Sequence, residues 1–337
     1  MSPVVRGRRG QTFDDTADLD AFDRPGRGSR ARTKDRPDYS AATLGRVLGV
    51  DRGRFEVRLD DRAIRAVKAR ALGRKAVIVG DLVRLVGDLS GDAGTLARIV
   101  DVTPRTTVLR RTADDTDPSE RPIVANADQL LIVTALADPP PRPGMIDRIL
   151  VAAFDASIRP VLCLTKADLA SPDDLARQYA ALDLPVVALR PGADLTDLRA
   201  LLRGHVNVFV GHSGVGKSTL INALVPSAGR ATGDVNAVTG RGRHTSASAI
   251  ALALPDGAGW VIDTPGVRSF GLSHVRLASV VGAFPDLAAL TTDCPRGCRH
   301  EAGAVDCALD AAVAADPARV ASLRRILTAV ADQPLLT

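Results

Sequence analysis

The feature that most constrains this 337-residue chain is a glycine-rich segment over residues 206–224, VNVFVGHSGVGKSTLINAL. An apolar stretch leads into Gly211, and after four further residues come Gly216, Lys217 and Ser218, followed by apolar residues at helical spacing. This pattern predicts a strand, a loop whose backbone N–H groups surround phosphate oxygens, and a helix. Because a helix N-terminus favours anions, we expect the loop to bind the phosphates of a nucleotide.

Three side chains of this segment have predicted chemical roles. Lys217 neutralises the β- and γ-phosphates, the Ser218 hydroxyl ligates Mg²⁺, and Thr219 reaches the α-phosphate. The full set of predicted phosphate-loop contacts is Gly211, His212, Ser213, Gly214, Val215, Gly216, Lys217, Ser218 and Thr219.

A second motif, DTPG, follows the apolar stretch WVI. Asp263 is predicted to hold Mg²⁺ through water, and the Gly266 N–H to donate to the γ-phosphate. Pro-Gly also occurs in ordinary turns, so the motif indicates a nucleotide site only because it follows the phosphate loop in the sequence. The next residue is Val267, whose side chain cannot orient a water molecule, so we expect slow intrinsic hydrolysis.

Between these motifs lies a polar, Gly-rich stretch, GDVNAVTGRGRHTSASA. Thr245 is placed to ligate Mg²⁺ when a γ-phosphate is present, which is typical of a loop that orders with nucleotide. His244 is the candidate for positioning the attacking water. The alternatives are a plain connecting loop, and a histidine that contacts RNA or solvent.

The segment VLCLTKADLA predicts a base-binding site at the end of a buried strand. The Asp168 carboxylate can accept hydrogen bonds from the N1–H and the exocyclic amine of guanine, whereas adenine presents the wrong donors. The Lys166 stem can cover the face of the base. We predict that Thr165, Lys166, Asp168 and Leu169 contact GTP, and that Cys163 lies in the core.

Three of the four cysteines fall in one short segment with a histidine. Cys294, Cys298, His300 and Cys307 supply three thiolates and one imidazole, a set that suits a closed, tetrahedral, structural Zn²⁺ site. Such spacing is typical of a metal site and not of a disulfide framework. The alternative is three free thiols near a histidine.

The sequence divides into four segments of different character. Residues 1–40 are polar and basic, and we predict a disordered arm that either contacts RNA or is a solubilising tail. Residues 41–113 show short β-branched stretches that predict a small all-β barrel, for which an OB-type barrel is plausible. Residues 114–272 alternate strands and helices, which predicts a parallel α/β domain. Residues 273–337 are predicted to be helical around the zinc ligands.

The formal net charge is +5 and the pI is about 9.3, which suits a polyanionic partner such as RNA or simply a soluble, Arg-rich protein. Aromatic residues are scarce in the barrel region, so we expect recognition of RNA backbone and shape over base stacking. The basic side chains there are Arg46, Arg52, Arg54, Arg58, Arg62, Arg65, Lys68, Arg70, Arg74 and Lys75, some of which will be solvated strand faces. Without an apolar run long enough for a membrane span or a secretory signal, we expect a cytoplasmic protein and no membrane partner.

The motifs occur in an unusual order, because the base motif precedes the phosphate loop, which precedes the switch threonine and DTPG. This order resembles the RsgA family of circularly permuted GTPases, as do the segments VANADQLLIV, MIDRILVAA, GHSGVGKSTLIN, GRGRHTSASA, DTPGVRSFGL and CPRGCRH. The resemblance runs from about residue 41 over nearly the whole remaining chain. It implies an OB-type domain, a permuted P-loop GTPase domain and a helical zinc domain, with GTP or GDP, Mg²⁺ and one Zn²⁺ as ligands. It further implies a monomer that binds the small ribosomal subunit and its rRNA, assists late maturation, and hydrolyses GTP faster on the subunit.

Three features depart from the family pattern. Thr165 stands where the usual motif has Asn, although the family tolerates Thr there. Leu189 and Arg190 replace a Ser-Ala type of base loop, which leaves that base contact unassigned. Relative to the family pattern, the gap between Cys294 and Cys298 is one residue shorter and the gap between His300 and Cys307 is one residue longer. The span from the first to the last ligand is therefore unchanged.

Three other functions remain open on sequence alone. One is a P-loop ATPase or kinase, against which Asp168 argues. Another is a non-enzymatic RNA-binding factor that uses GTP as an ordering ligand. The third keeps the GTPase and changes its client to another RNA or assembly.

Overall fold

Five short strands near the N-terminus close into a barrel. The computed structural model describes residues 38–73, 77–114, 117–228, 249–264, 272 and 275–331. The barrel strands are β1 (Thr43–Asp51), β2 (Arg54–Leu59), β3 (Arg62–Lys68), β4 (Leu82–Gly87) and β5 (Ala97–Val102). They pair in the spatial order β1-β2-β3-β5-β4, and β4 pairs again with β1. Alternate residues such as Phe55, Val57 and Leu59 point inward, which confirms the predicted OB-type barrel.

A two-stranded hairpin, β6 (Val108–Asp114) and β7 (Asp117–Ala125), follows the barrel. Its base contacts the barrel at Gly80, where the Ala125 N–H donates to the Val79 carbonyl at 2.9 Å. A Cβ atom at Gly80 would lie 2.0 Å from the Ala125 carbonyl oxygen, so only glycine fits. The hairpin spans the predicted domain boundary at residues 113 and 114, and the boundaries stay predictions.

An α/β sheet forms the centre of the chain. Its strands are β8 (Gln129–Ala135), β9 (Arg159–Thr165), β10 (Val186–Ala188), β11 (His205–Val210), β12 (Ile250–Ala253) and β13 (Gly259–Asp263). They lie in the order β10-β9-β8-β11-β13-β12, and all are parallel except β12, which is antiparallel to β13. The five parallel strands therefore end at one common edge, which is where ligands bind in such sheets. One bridge, Gly49 with Ile250, joins the barrel to this sheet.

Helices cover both faces of the sheet. They are α1 (Pro143–Asp155), α2 (Asp173–Tyr179), α3 (Thr196–Leu202), α4 (Lys217–Leu224), α5 (Leu277–Gly282), α6 (Pro285–Leu290), α7 (Leu309–Val313) and α8 (Pro317–Ala331). Helices α3 and α4 pack on one face around Phe209, whereas α1 and the C-terminal helices share a core on the other. The predicted α/β domain and C-terminal helices are thus confirmed. Within the described part of the chain, every helix is too short or too polar to cross a membrane.

Two arginines of α8 connect the C-terminal helices to the α/β domain. Arg325 donates from Nε to Asp147 Oδ2 at 3.1 Å, and its guanidinium lies 4.8 Å from the centre of the Tyr179 ring. Arg319 pairs with Asp183 and Asp286, each at 2.8 Å. Burial raises the pKa of Asp147, and the Arg325 charge opposes that rise. The C-terminal helices therefore dock through both a shared core and ion pairs.

Candidate nucleotide site and metal centre

The loop between β11 and α4 has the backbone that its glycines predict. Gly214 and Gly216 have φ values of 83° and 86°, which side chains with a Cβ atom rarely adopt. A Cβ atom at Gly211 would lie 2.4 Å from the Val133 carbonyl oxygen. Gly216 immediately precedes the first residue of α4, Lys217, so the helix N-terminus faces the loop. This is the arrangement that binds phosphate through backbone N–H groups.

Lys217 and Asp263 meet beside this loop although they are 46 residues apart in the chain. The Lys217 ammonium contacts the Asp263 carboxylate and donates to the Thr264 carbonyl at 3.0 Å. Their side chains are only 11% and 7% exposed, so the pair lies in a shielded position. The Thr264 hydroxyl donates to the Phe209 carbonyl at 2.8 Å, which fixes the end of β13 against the start of the loop.

Thr165 connects the predicted base motif to the phosphate loop. Its buried hydroxyl lies 2.6 Å from the Val215 carbonyl oxygen and 3.2 Å from that of Thr134. β9, which Thr165 ends, lies two strands from β11 in the sheet, with β8 between them. The threonine thus joins the two motifs directly at the position where the usual motif has asparagine.

The residues after Thr165 form a short turn at the sheet edge. Lys166 has a φ of 57°, and its ammonium donates to the Asp138 carbonyl. The Leu169 N–H closes the turn on the Lys166 carbonyl at 3.0 Å. Asp168 is exposed and Leu169 is 55% exposed, so both side chains are accessible to a ligand from outside.

A cavity of about 240 Å³ lies between the base motif, the loop after β10 and helix α4. Its lining is mostly apolar, and its residues are Thr165, Lys166, Leu189, Arg190, Pro191, Gly192, Ala193, Leu195, Gly216, Thr219, Leu220 and Ala223. Mostly apolar walls with a few polar groups are typical of a site for a flat base. The sequence placed Leu189 and Arg190 in the base loop but left their contact unassigned. The structure adds Pro191, Gly192 and Ala193 to the same cavity wall, and the Pro-Gly turn signal is the feature that could have indicated them.

Three predicted site residues lie outside the described residues. They are His244 and Thr245 of the switch stretch and Gly266 of the DTPG motif. Val267 lies outside them as well.

The predicted zinc ligands come together in space. One ligand atom from each of Cys294, Cys298, His300 and Cys307 lies within 4.8 Å of the other three. The His300 Nδ1 atom is 3.6 Å from Cys294 Sγ and 3.8 Å from Cys307 Sγ. Ordinary Zn–S and Zn–N bond lengths at a tetrahedral angle place S and N about 3.6 Å apart. The shifted cysteine spacing therefore still gathers a set with tetrahedral dimensions.

The surroundings of the cluster suit metal ligation. The Ala308 N–H donates to Cys294 Sγ at 3.3 Å, a contact that stabilises a thiolate. Burial, and secondarily the Arg324 charge, lower the pKa of His300, which favours the neutral imidazole that binds metal. The residues present therefore fit a structural Zn²⁺ ion.

A model of one protein family matches the centre of the chain. The family is described as RsgA GTPase, and the match covers residues 102–273. A curated relative from Azotobacter vinelandii, named small ribosomal subunit biogenesis GTPase RsgA, is 40% identical over 269 residues. That alignment covers 76% of this chain and 76% of the relative.

Two solved structures resemble the whole architecture. YjeQ from Thermotoga maritima superposes with a TM-score of 0.63 at 23% identity, covering 86% of this chain and 99% of that one. YloQ, described as a circularly permuted GTPase, superposes with a TM-score of 0.62 at 21% identity, covering 88% and 98%. At such identities the likeness is one of fold.

Proposed function

The chain belongs to the RsgA GTPase family, and we propose that it hydrolyses GTP to GDP and phosphate while assisting the late maturation of the small ribosomal subunit. The observation that carries the proposal is the convergence of three motifs at one sheet edge. The phosphate loop, Asp263 and the base motif lie far apart in sequence, yet Lys217 contacts Asp263 and Thr165 contacts Val215.

Selection of guanine falls to Asp168. Its carboxylate is exposed in the turn that follows β9 and accepts from the N1–H and the exocyclic amine of guanine. Adenine offers no such pair of donors and would leave the carboxylate unpaired. The Lys166 stem covers one face of the base.

Binding of the phosphates falls to the loop and to the start of α4. Residues from about Gly214 to Ser218 supply backbone N–H groups, and Lys217 supplies a positive charge for the β- and γ-phosphates. Ser218, Thr245 and Asp263 would hold Mg²⁺, which when bound neutralises charge on the phosphates. His244 positions the attacking water, and Gly266 donates its N–H to the γ-phosphate.

The C-terminal cluster holds one structural Zn²⁺ through Cys294, Cys298, His300 and Cys307. With four protein ligands the ion has no open position, so its contribution is to folding and not to hydrolysis.

The barrel makes most of the proposed contact with rRNA. Exposed arginines on its neighbouring strands include Arg54, Arg62, Arg65 and Arg98. Such a surface binds phosphate backbone, and its affinity falls with salt. The chain acts as a monomer.

Co-sedimentation with purified ribosomal subunits tests the partner. The full chain with a non-hydrolysable GTP analogue is expected to pellet with small subunits, and far less with GDP or with large subunits. Equal binding to both subunits, or to neither, would remove the small subunit from the proposal. A preference for the ATP analogue over the GTP analogue would favour an ATPase instead.

A further inference from the structure

The loop after β10 is held rigidly beside the base cavity. The Ala193 N–H donates to the Arg190 carbonyl at 3.1 Å, which closes a four-residue turn. Pro191 occupies its second position, and Gly192, with a φ of 70°, its third. These are the residues that a type II turn requires. The turn therefore holds the backbone of its first residue, Arg190.

Leu189 ties this turn to the base motif. Its N–H donates to the Leu164 carbonyl at 2.7 Å, and its carbonyl accepts from the Ala167 N–H at 3.0 Å. The Leu189 side chain is buried, which holds the backbone of the next residue, Arg190, in the cavity wall. Lys166 and Arg190 both line the cavity, shortly after the ends of β9 and β10 respectively.

The cavity offers few donors for a purine. Guanine presents two acceptors, O6 and N7, on the edge away from its exocyclic amine. The Thr165 hydroxyl has one proton, and its short contact with the Val215 carbonyl oxygen at 2.6 Å uses it. The Lys166 ammonium donates one of its three N–H groups to the Asp138 carbonyl, so it stays a second possible donor beside Arg190. The other lining side chains near the base are apolar, apart from Thr219.

Arg190 has the donors that this edge lacks. Its side chain is exposed, and it makes no hydrogen bond or ion pair with the residues that the structure describes. A guanidinium carries five N–H donors in a planar fork, and that fork matches O6 and N7 of guanine.

We propose that the Arg190 guanidinium donates two hydrogen bonds to O6 and N7 of the bound guanine, opposite the edge that Asp168 reads. This inference rests on the proposed guanine-nucleotide function. It makes Arg190 a specificity-determining residue that replaces the donors of the Ser-Ala type of base loop. The site then discriminates guanine by a carboxylate on one edge and a guanidinium on the other.

The proposal is tested in the full chain by removing the N7 acceptor from the ligand and the guanidinium from the protein, separately and together. GDP and 7-deaza-GDP, which lacks the N7 acceptor, are titrated by calorimetry into the wild type, Arg190→Ala and Arg190→Lys. We expect the wild type to bind 7-deaza-GDP roughly 5- to 50-fold more weakly than GDP, the range that a bidentate contact allows. In Arg190→Ala that penalty disappears, because GDP loses both hydrogen bonds to Arg190 whereas 7-deaza-GDP loses only the one to O6. Arg190→Lys retains only part of the penalty, since it keeps the charge without the fork.

The matched control is Arg159→Ala, which removes an exposed arginine at the opposite end of β9 and keeps the full penalty. An equal 7-deaza penalty in wild type and Arg190→Ala, or no penalty in wild type, would overturn the inference and leave guanine binding intact. A wild type that binds neither GDP nor GTP, or that prefers ADP, would overturn the proposed function together with the inference.

Discussion

The nucleotide edge of the sheet and the cysteine–histidine cluster are built from different parts of the chain. The nucleotide edge comprises Thr165–Asp168, Gly211–Thr219 and Asp263. There, backbone groups would provide most of the proposed contacts, and a buried parallel sheet positions them. At the cluster, four side chains would provide the ligands, and their segment, residues 294–307, contains neither helix nor strand and contacts α8 through Arg324.

The difference predicts opposite dependence on ligand. The sheet has its own apolar core and holds the nucleotide edge in place by packing. The cluster segment has little regular structure of its own, so a bound metal would contribute folding energy there. Loss of a zinc ligand should therefore cost stability, whereas loss of a phosphate-loop side chain should cost activity.

The largest expected effect is on stability at the cluster. Cys294→Ser should abolish binding of one Zn²⁺ per chain and lower the free energy of unfolding by about 4 kcal/mol or more. GDP affinity should stay within about twofold, because none of the four cluster residues lines the base cavity. Metal analysis, urea unfolding and GDP titration check the three parts.

The matched control for that variant is Cys163→Ala. Cys163 is buried in β9, and burial raises the pKa of its thiol to about 12, so it supplies no thiolate at neutral pH. Its removal should leave the zinc content unchanged. Retention of zinc and stability by Cys294→Ser would break the comparison.

The next effect is on activity at the nucleotide edge. Lys217→Ala should lower GTP hydrolysis at least about 100-fold, because in the proposed site the ammonium would face the phosphates, where charge develops. The protein should keep its zinc and its secondary structure. Steady-state hydrolysis, metal analysis and circular dichroism check this, and hydrolysis near the wild-type rate would contradict the role given to Lys217.

A third prediction concerns the junction between the two regions. Arg325→Ala leaves the buried Asp147 carboxylate beside Tyr179 without its cation, and should cost about 2 kcal/mol at pH 7. Burial already raises the pKa of Asp147, and losing Arg325 raises it further. Because its raised pKa favours the protonated form in the folded state, the stability from this group is present at low pH and is lost as pH rises through the folded pKa.

The deficit of Arg325→Ala relative to wild type should therefore be larger at pH 7 than at pH 5. Urea unfolding of both proteins at the two pH values measures this difference, in which effects common to both proteins cancel. Adding Asp147→Asn should remove the pH dependence. A deficit that grows as pH falls would show that a different group responds.

The smallest effect is expected at Thr165. Thr165→Val keeps the shape of the side chain but removes the hydroxyl that contacts Val215, and should weaken GDP binding by about fivefold, or about 1 kcal/mol. Thr107→Val is the matched control, because that hydroxyl also donates to a backbone carbonyl, Ala127 at 2.8 Å, away from the cavity. Equal GDP affinity of Thr165→Val and wild type would show that the bridge does not support the site.

The nucleotide edge could be predicted because its constraints are local. Glycines at fixed spacing demand a particular backbone, and parallel strands bring their carboxyl ends together whatever their order in the chain. The motif order in sequence therefore did not hide the proximity of Lys217 and Asp263. The cluster could be predicted for a related reason, since three thiols and an imidazole have few other uses at that spacing.

Other features depend on tertiary packing and could not be predicted. The hairpin of β6 and β7 carries a polar, charged sequence without clear alternation, so nothing local indicates strands. Arg319 and Arg325 resemble the solvated face of a helix until α8 is placed against α1 and α2. The base cavity wall at Arg190 exists only because β10 pairs with β9.

The measurement that tests the central claim most directly is the rate of GTP hydrolysis with and without purified small ribosomal subunits. ATP and Lys217→Ala serve as controls. Slow hydrolysis alone and strong stimulation by small subunits, specific to GTP and lost in the variant, is the predicted result. A GTP hydrolysis rate that small subunits leave unchanged would contradict the ribosomal role.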